Sequence, residues 1–322
     1  MRLIDKLRRK AIDYGLYRVE GGQLCIVTYH GVDLIGETKF NSRFYPINLL
    51  ESNFRFFKKK FHSVSLKDIE NKNFDKTKIN VHITFDDGYL NNYKYAVPLL
   101  ERYELHSTIY VTAIHNTENK ILWADLLDIC PFYLEDSLNV GGVDYKKING
   151  KFPDLCKQIR LDRVGGFQYK SLVEKCIFNS LNKDFRIDKS LEDYWKLIDD
   201  KQILEISKTK FVGIGSHGYY HNNLGNLPLE IAIKEVVDSK KFLESVIQKE
   251  VCSIAYPDGS YNTELLYKLN DIGFKTQFLF GASDDKYLNV NGVYDREGVY
   301  PVASSENEIF YKLINGKSNT RI

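Results

Sequence analysis

Seven short apolar runs recur along the chain, with helical periods between them, and several of the runs end in polar residues able to do chemistry. The runs are Leu24 to Tyr29, Ile79 to Phe85, Thr108 to Thr112, Phe211 to Ile214, Ser253 to Tyr256, Thr276 to Phe280 and Val299 to Val302. Apolar residues spaced for helices fill Asn91 to Tyr103, Leu229 to Gln248 and Thr263 to Ile272. Strand and helix alternating in this way predict an α/β architecture, either a barrel or a doubly wound sheet. In both, ligands collect at the carboxyl ends of the strands.

One interval breaks the rhythm. From about 115 to 210 there is no convincing strand, only helical patterns such as Lys170 to Leu181 and Leu191 to Ser207. This predicts a mostly helical insertion that departs from a strand end, so it rises on the ligand-binding face as a lid or substrate wall, or serves as a plain structural cap. Trp123 within it is a candidate for stacking on a sugar, and a buried core tryptophan is the alternative. No internal repeat divides the chain.

Composition removes several classes of partner. Lys and Arg number 45 against 43 Asp and Glu, a net charge of +2, which gives no electrostatic basis for binding nucleic acid. Cys25, Cys130, Cys156, Cys176 and Cys252 are odd in number and form no CxxC pair, so reduced thiols are expected. The first residues lack the uninterrupted apolar run of a secretory signal, and no stretch approaches the ~20 apolar residues that cross a bilayer. A cytoplasmic location is expected. Leu3, Ile4, Leu7, Ile12 and Leu16 among Arg2, Lys6, Arg8, Arg9 and Lys10 also form a basic amphipathic pattern, suited to contact with the inner membrane face or to packing on the chain's own domain.

Three polar clusters follow apolar runs. Thr84-Phe85-Asp86-Asp87-Gly88 puts two carboxylates at a strand's end. Adjacent acids repel, which is costly in a core but useful if one binds a cation and the other transfers protons; a solvated turn capping a helix is the other reading. Ser216-His217-Gly218-Tyr219-Tyr220-His221 carries two histidines four residues apart, able to face one way on a helical turn. With one carboxylate they would make an open three-ligand site for zinc or a similar divalent ion; a pair of surface histidines is the alternative. Ala255-Tyr256-Pro257-Asp258-Gly259-Ser260-Tyr261 closes another run. A turn there could aim the Asp258 N–H at a developing oxyanion, with Tyr256 and Pro257 as candidate substrate-binding residues, or it could be an ordinary strand-to-helix turn.

As an ordered set, these motifs resemble the NodB-type polysaccharide deacetylases, carbohydrate esterase family four, in a YPxG-type variant. The resemblance begins at Val27-Thr28-Tyr29-His30, continues through Phe61-His62-Ser63-Val64-Ser65-Leu66, TFDDGY and Ala96-Val97-Pro98-Leu99-Leu100, and reaches SHGYYHNNL and AYPDGSYN. It implies one domain over 1–322 with a distorted (β/α) barrel of about seven strands, the insertion at 115–210 being part of it. It also implies metal-dependent hydrolysis of an N-acetyl group on an amino sugar, with Asp86 as general base and Asp87, His217 and His221 as ligands. Zinc is the expected ion, with Co2+, Ni2+ or Mn2+ as substitutes, and an acetylated glycan or glycan precursor is the expected partner.

Two departures from the family pattern matter. The arginine that usually precedes the Pro-Tyr motif and orients the base is replaced by Ala255 and Tyr256. Arg296 can supply that charge, or can sit in a surface ion pair. The late histidine used as general acid is missing, since no histidine follows His221. His30, ending the first strand, is the substitute, or else a structural histidine. Hydrolysis of an O-acetyl ester or another amide, and a silent carbohydrate-binding role, remain as competing functions.

Overall fold

The computed structural model describes residues 21–35, 40–118, 120–161, 167–281 and 290–299. Strand β1 (Leu24–Tyr29) leads into a small parallel pair, β2 (Val32–Asp33) and β3 (Tyr45–Pro46), and then helix α1 (Ile47–Lys60). Next come β4 (His62–Ser63), α2 (Leu66–Glu70), β5 (Asn80–Phe85), α3 (Val97–Tyr103) and β6 (Ser107–Val111). The insertion contributes α4 (Trp123–Ile129), β7 (Ser137–Val140), β8 (Val143–Lys146), α5 (Pro153–Leu161), α6 (Phe167–Ser180) and α7 (Asp200–Ile206). After it follow β9 (Val212–Ser216), α8 (Leu229–Ile247), β10 (Ser253–Ala255), α9 (Thr263–Asp271), β11 (Thr276–Phe280) and β12 (Val293–Gly298).

Seven of these strands close a parallel barrel in the order β1-β12-β11-β10-β9-β6-β5, with β5 returning to β1. Strand β4 shares an edge of β5 with β6, pairing at Asn80 and Val81 while β6 takes Ile83 to Phe85. A parallel barrel covered by helices buries both faces of each strand, and β1 and β5 are buried throughout. Alternation then sorts the side chains. Cys25, Val27 and Tyr29 with Val81, Ile83 and Phe85 pack outwards against Leu50, Phe54 and Phe57 of α1 and Leu100 of α3. Leu24, Ile26, Tyr110, Ala255 and Phe278 meet one another in the lumen, with Val64 and Ile69 at one end. Truncating a residue such as Ile83 to alanine would cost about 2–5 kcal/mol through lost burial and the cavity left behind.

The structure corrects the expected elements in four places. The last barrel strand is Val293–Gly298 rather than Val299 to Val302; Val299 follows the strand, and 300–302 lie outside the described residues. The expectation followed apolar residues, whereas the true strand carries Tyr294-Asp295-Arg296-Glu297, whose charged Arg296 points into a polar layer of the lumen and is satisfied there. The insertion is not strand-free, because β7 and β8 form an antiparallel hairpin. Its turn is Gly141-Gly142, both at positive φ (59° and 87°), a backbone that glycine enters without a Cβ penalty. The helical period from Leu191 to Ser207 is broken into a 3-10 segment at Lys189–Tyr194 and then α7. Finally, His217 to His221 is an irregular loop rather than a helical turn.

All five cysteines are free thiols. The expected amphipathic helix between Leu3 and Leu16 lies outside the described residues. Among the described residues, no helix is long and apolar enough to cross a membrane. The returning end of the insertion is stitched to the turn after β5: Leu90 N–H donates to Lys196 C=O at 2.8 Å, and Ile198 N–H to Gly88 C=O at 2.9 Å. This fixes the insertion on the barrel face where Asp86 and Asp87 emerge.

Candidate active site

Strand β5 ends at Phe85, and Asp86 N–H still donates to Tyr29 C=O at 3.0 Å, so Asp86 is held in the barrel's hydrogen-bond frame. Asp87 and Gly88 then both take positive φ, 76° and 78°, turning the chain sharply. A Cβ at Gly88 would also press to 3.2 Å on Val111 Cγ1, so the positive φ and a tight contact both favour glycine there. The two neighbouring carboxylates consequently meet different partners.

Asp86 faces Arg296. Arg296 Nη1 and Nη2 donate to Asp86 Oδ1 and Oδ2 at 2.6 and 2.8 Å, a bidentate pair with both residues buried. Further donors are used too: Nε donates to Leu279 C=O, and Nη1 also reaches the Thr28 and Thr84 hydroxyls, each at 3.2 Å. Burial pushes the Asp86 carboxyl up, but the Arg296 charge, with help from His217, outweighs it and holds the group below the ordinary carboxylate value. Asp86 is therefore an ionised acceptor at neutral pH. Arg296 is not in a surface ion pair; it is the buried countercharge of Asp86, the two residues being 3% and 4% exposed.

Asp87 faces the histidines. His217 Nε2 and His221 Nε2 stand 3.4 and 3.1 Å from Asp87 Oδ1. Neither approach has hydrogen-bond geometry, so both carboxylate oxygens are buried without a hydrogen-bond partner among the described residues. An orphaned carboxylate among imidazole nitrogens, all ligand atoms within 4.8 Å of one another, is the donor set and spacing that a divalent ion requires. His217 Nδ1 lies 2.8 Å from Ala255 C=O, which can only accept, so Nδ1 carries the proton and Nε2 presents its lone pair to the site. Burial opposes ionisation of His217, yet the charges of Asp86 and Asp87 raise its pKa above the ordinary value, so a metal held here would compete with protons for this nitrogen.

With this geometry in place, comparison with known proteins identifies the chain. The family model described as polysaccharide deacetylase matches residues 74–161 and 177–277, more than half of the sequence. The chain belongs to the polysaccharide deacetylase family. It is an enzyme of carbohydrate deacetylation, a hydrolase of carbohydrate esterase family four. A search of curated proteins found no match. Among solved structures, the fold resembles the Streptococcus pyogenes deacetylase PplD, with TM-score 0.58 and 16% identity, covering 90% of this chain and 98% of that one. IcaB from Ammonifex degensii gives 0.54 and 14%, covering 92% and 98%. A de-N-acetylase from Aggregatibacter actinomycetemcomitans gives 0.54 and 14%, covering 90% and 99%.

In this deacetylase the site opens into a cleft of about 420 Å3. Asp86, His217, His221, Arg296, His30, Tyr256 and Asp258 line its barrel side, while Trp123, Ala124, Leu127, Asp128, Lys151, Cys156 and Arg160 line the side built by the insertion. His30 thus lies in the mouth, half-buried, where desolvation pushes its imidazole down to about 4 against the pull of Asp87; it is neutral at pH 7. Asp258 sits at φ 51° in a turn whose own hydrogen bonds use the N–H groups of Gly259 and Ser260. Tyr256 lines the cleft but turns its hydroxyl away to Gln277 Oε1, and Pro257 is buried outside the lining. Trp123 is only 3% exposed, and its ring already faces Lys170 Nζ at 5.6 Å and the Arg160 guanidinium at 5.7 Å.

Sequence reasoning missed Arg43. Its guanidinium lines the cleft 4.0 Å from Asp87 Oδ2, and it is held by Asn41, by the Tyr89 hydroxyl at 3.3 Å and by Asp125 at 3.2 Å. Asp125 Oδ1 also accepts from Asn41 and Tyr89 at 2.8 and 2.9 Å. No local pattern marks this network, because its members come from a loop, the DDG turn and the insertion.

Proposed function

We propose that the protein removes the N-acetyl group of an amino sugar with one divalent ion, zinc foremost, held by Asp87, His217 and His221. The observation that carries this reading is the division between the neighbouring aspartates: Asp87 has two orphaned oxygens beside two imidazoles, while Asp86 is clamped by an arginine and kept ionised. When bound there, the ion supplies Lewis-acid polarisation of the acetyl carbonyl and acidifies a water.

The chain's own groups do the rest. Asp86 takes the water's proton, and Arg296 fixes which carboxylate face is offered. The Asp258 N–H, at the cleft wall, is the backbone donor proposed for the developing oxyanion. Breaking the C–N bond needs a proton on the leaving nitrogen. The proton gained by Asp86 is available for this, with His30 relaying it as a neutral imidazole that can accept on one nitrogen and donate from the other. The insertion walls one side of the cleft, so it is the element proposed to select the glycan. Acetate release from a panel of N-acetyl and O-acetyl sugars, with and without added zinc, tests the proposal. Zinc-dependent release from N-acetyl sugars is expected. Release from O-acetyl sugars alone would make the protein an esterase, and none from either would make it a silent binding protein.

A further inference from the structure

The two histidines of the proposed metal site are supported unequally. His217 has its ring fixed by the Ala255 carbonyl. His221 has no such support: its Nδ1 is buried and lacks a hydrogen-bond partner among the described residues. Its backbone is unusual as well, with φ at 52°, a conformation uncommon for a residue with a Cβ. Glu235 holds the residues on either side, accepting from Tyr220 N–H at 3.0 Å and from the Asn222 side chain at 2.7 Å. The carbonyl of His221 itself is bound by Lys170, whose Nζ donates to it at 2.7 Å. Lys170 belongs to α6 of the insertion, is 3% exposed, and has its ammonium over the Trp123 ring at 5.6 Å. Burying an ammonium is costly, so its placement on this carbonyl and beside an aromatic face is a built contact rather than a surface accident.

We propose that Lys170 is a positioning residue for the metal site: by anchoring the His221 carbonyl it holds the left-handed backbone that aims His221 Nε2 at Asp87. The insertion therefore helps to shape the site as well as wall the cleft. This inference rests on Asp87, His217 and His221 being the ligands, so its test carries a separate control for that reading.

Full-length protein stripped with a chelator is titrated with Co2+ by calorimetry, and the visible absorption of the bound ion is recorded. Lys170→Met, which removes the donor, is expected to bind one ion about 10–100-fold more weakly, the usual loss when an outer partner of a ligand is removed. Its absorption envelope should change, whereas the stripped protein should still unfold cooperatively, with its melting temperature lowered by a few degrees for the carbonyl left unpaired. Lys170→Arg, which keeps a buried cation able to donate to the same carbonyl, should recover most of the affinity and the spectrum. If the Met variant does not give folded protein, Lys170→Gln, shorter and uncharged, is read in its place with the same expectation. Parental affinity and spectrum in the folded Met or Gln variant would overturn the role of Lys170, provided Asp87→Asn loses the ion. If Asp87→Asn also binds like the parent, the ligand assignment itself has failed and the inference falls with it.

Discussion

Asp86 and Arg296 form a buried pair in which each needs the other. Removing the arginine leaves a carboxylate in the barrel without its countercharge, a change that typically costs about 3–5 kcal/mol. It also alters the chemistry. Because Arg296 holds the Asp86 pKa down and the base works ionised, Arg296→Met should raise that pKa and move the acidic limb of the kcat/KM profile to higher pH. An unmoved limb, measured with saturating zinc, would show that another group sets it. His30→Ala should lower kcat by roughly 100-fold, in keeping with loss of a proton-transfer group, with metal content unchanged; unaltered kinetics would remove His30 from the reaction. The DDG and HxxxH residues were legible in the sequence because they sit in short local patterns at strand ends. Arg296 was legible only as one of two readings, since its burial depends on Thr28, Thr84 and Asp86, which are far away in the chain. Arg43 and Lys170 carried no signal, because their partners lie across loops and the insertion.

Within the barrel lumen, His82 is a further buried titratable group. His82 on β5 contacts Val64 C=O through Nδ1 at 2.8 Å and the Thr108 hydroxyl through Nε2 at 3.0 Å. Burial pushes its pKa down to about 4, against the Val64 contact, which pulls the other way. As pH falls below about 6.5, the unfolded chain takes up this proton while the folded chain does not, so stability is lost with acidification until about pH 4. Between pH 7 and pH 5 the loss from this residue should be about 2 kcal/mol. Urea unfolding at the two pH values should show this increment in the parent and its absence in His82→Gln. An identical pH dependence in both would contradict a neutral, buried His82. The insertion gives a different lesson about elements. Ser137-Leu138-Asn139-Val140, two glycines, and Val143-Asp144-Tyr145-Lys146 alternate as a hairpin does, with Leu138 and Val140 buried between exposed Ser137 and Asn139. The helical periods around it masked that short pattern. β12 was displaced for the opposite reason: Asp295, Arg296 and Glu297 looked unlike a strand, and the partners that bury Arg296 come from other strands of the barrel.

For the whole molecule, the alternation of strands and helices was enough to set an α/β architecture but left a barrel and a doubly wound sheet both open; the resemblance carried by the motifs implied the barrel, and the pairing of β5 with β1 closes it. What the alternation also could not set was how the insertion meets the barrel. Backbone pairing of Leu90 and Ile198 with the two ends of that junction, Asp125 on Arg43, and Lys170 on His221 bring the insertion to the proposed metal site from more than one direction. The cleft and the insertion that lines it are thus parts of one packed unit, with the two aspartates proposed to do separate work at its centre. The direct measurement is turnover on an N-acetyl sugar as zinc is titrated into Asp86→Asn and Asp87→Asn, with bound metal assayed on the same samples. Asp87→Asn should bind zinc weakly and regain part of its activity as zinc is added, because an anionic ligand has been replaced by a neutral one. Asp86→Asn should keep its zinc and stay about 100-fold or more below the parent at every concentration, since an amide cannot take the water's proton. Zinc rescue of Asp86→Asn, with a full metal complement in Asp87→Asn, would contradict the assignment.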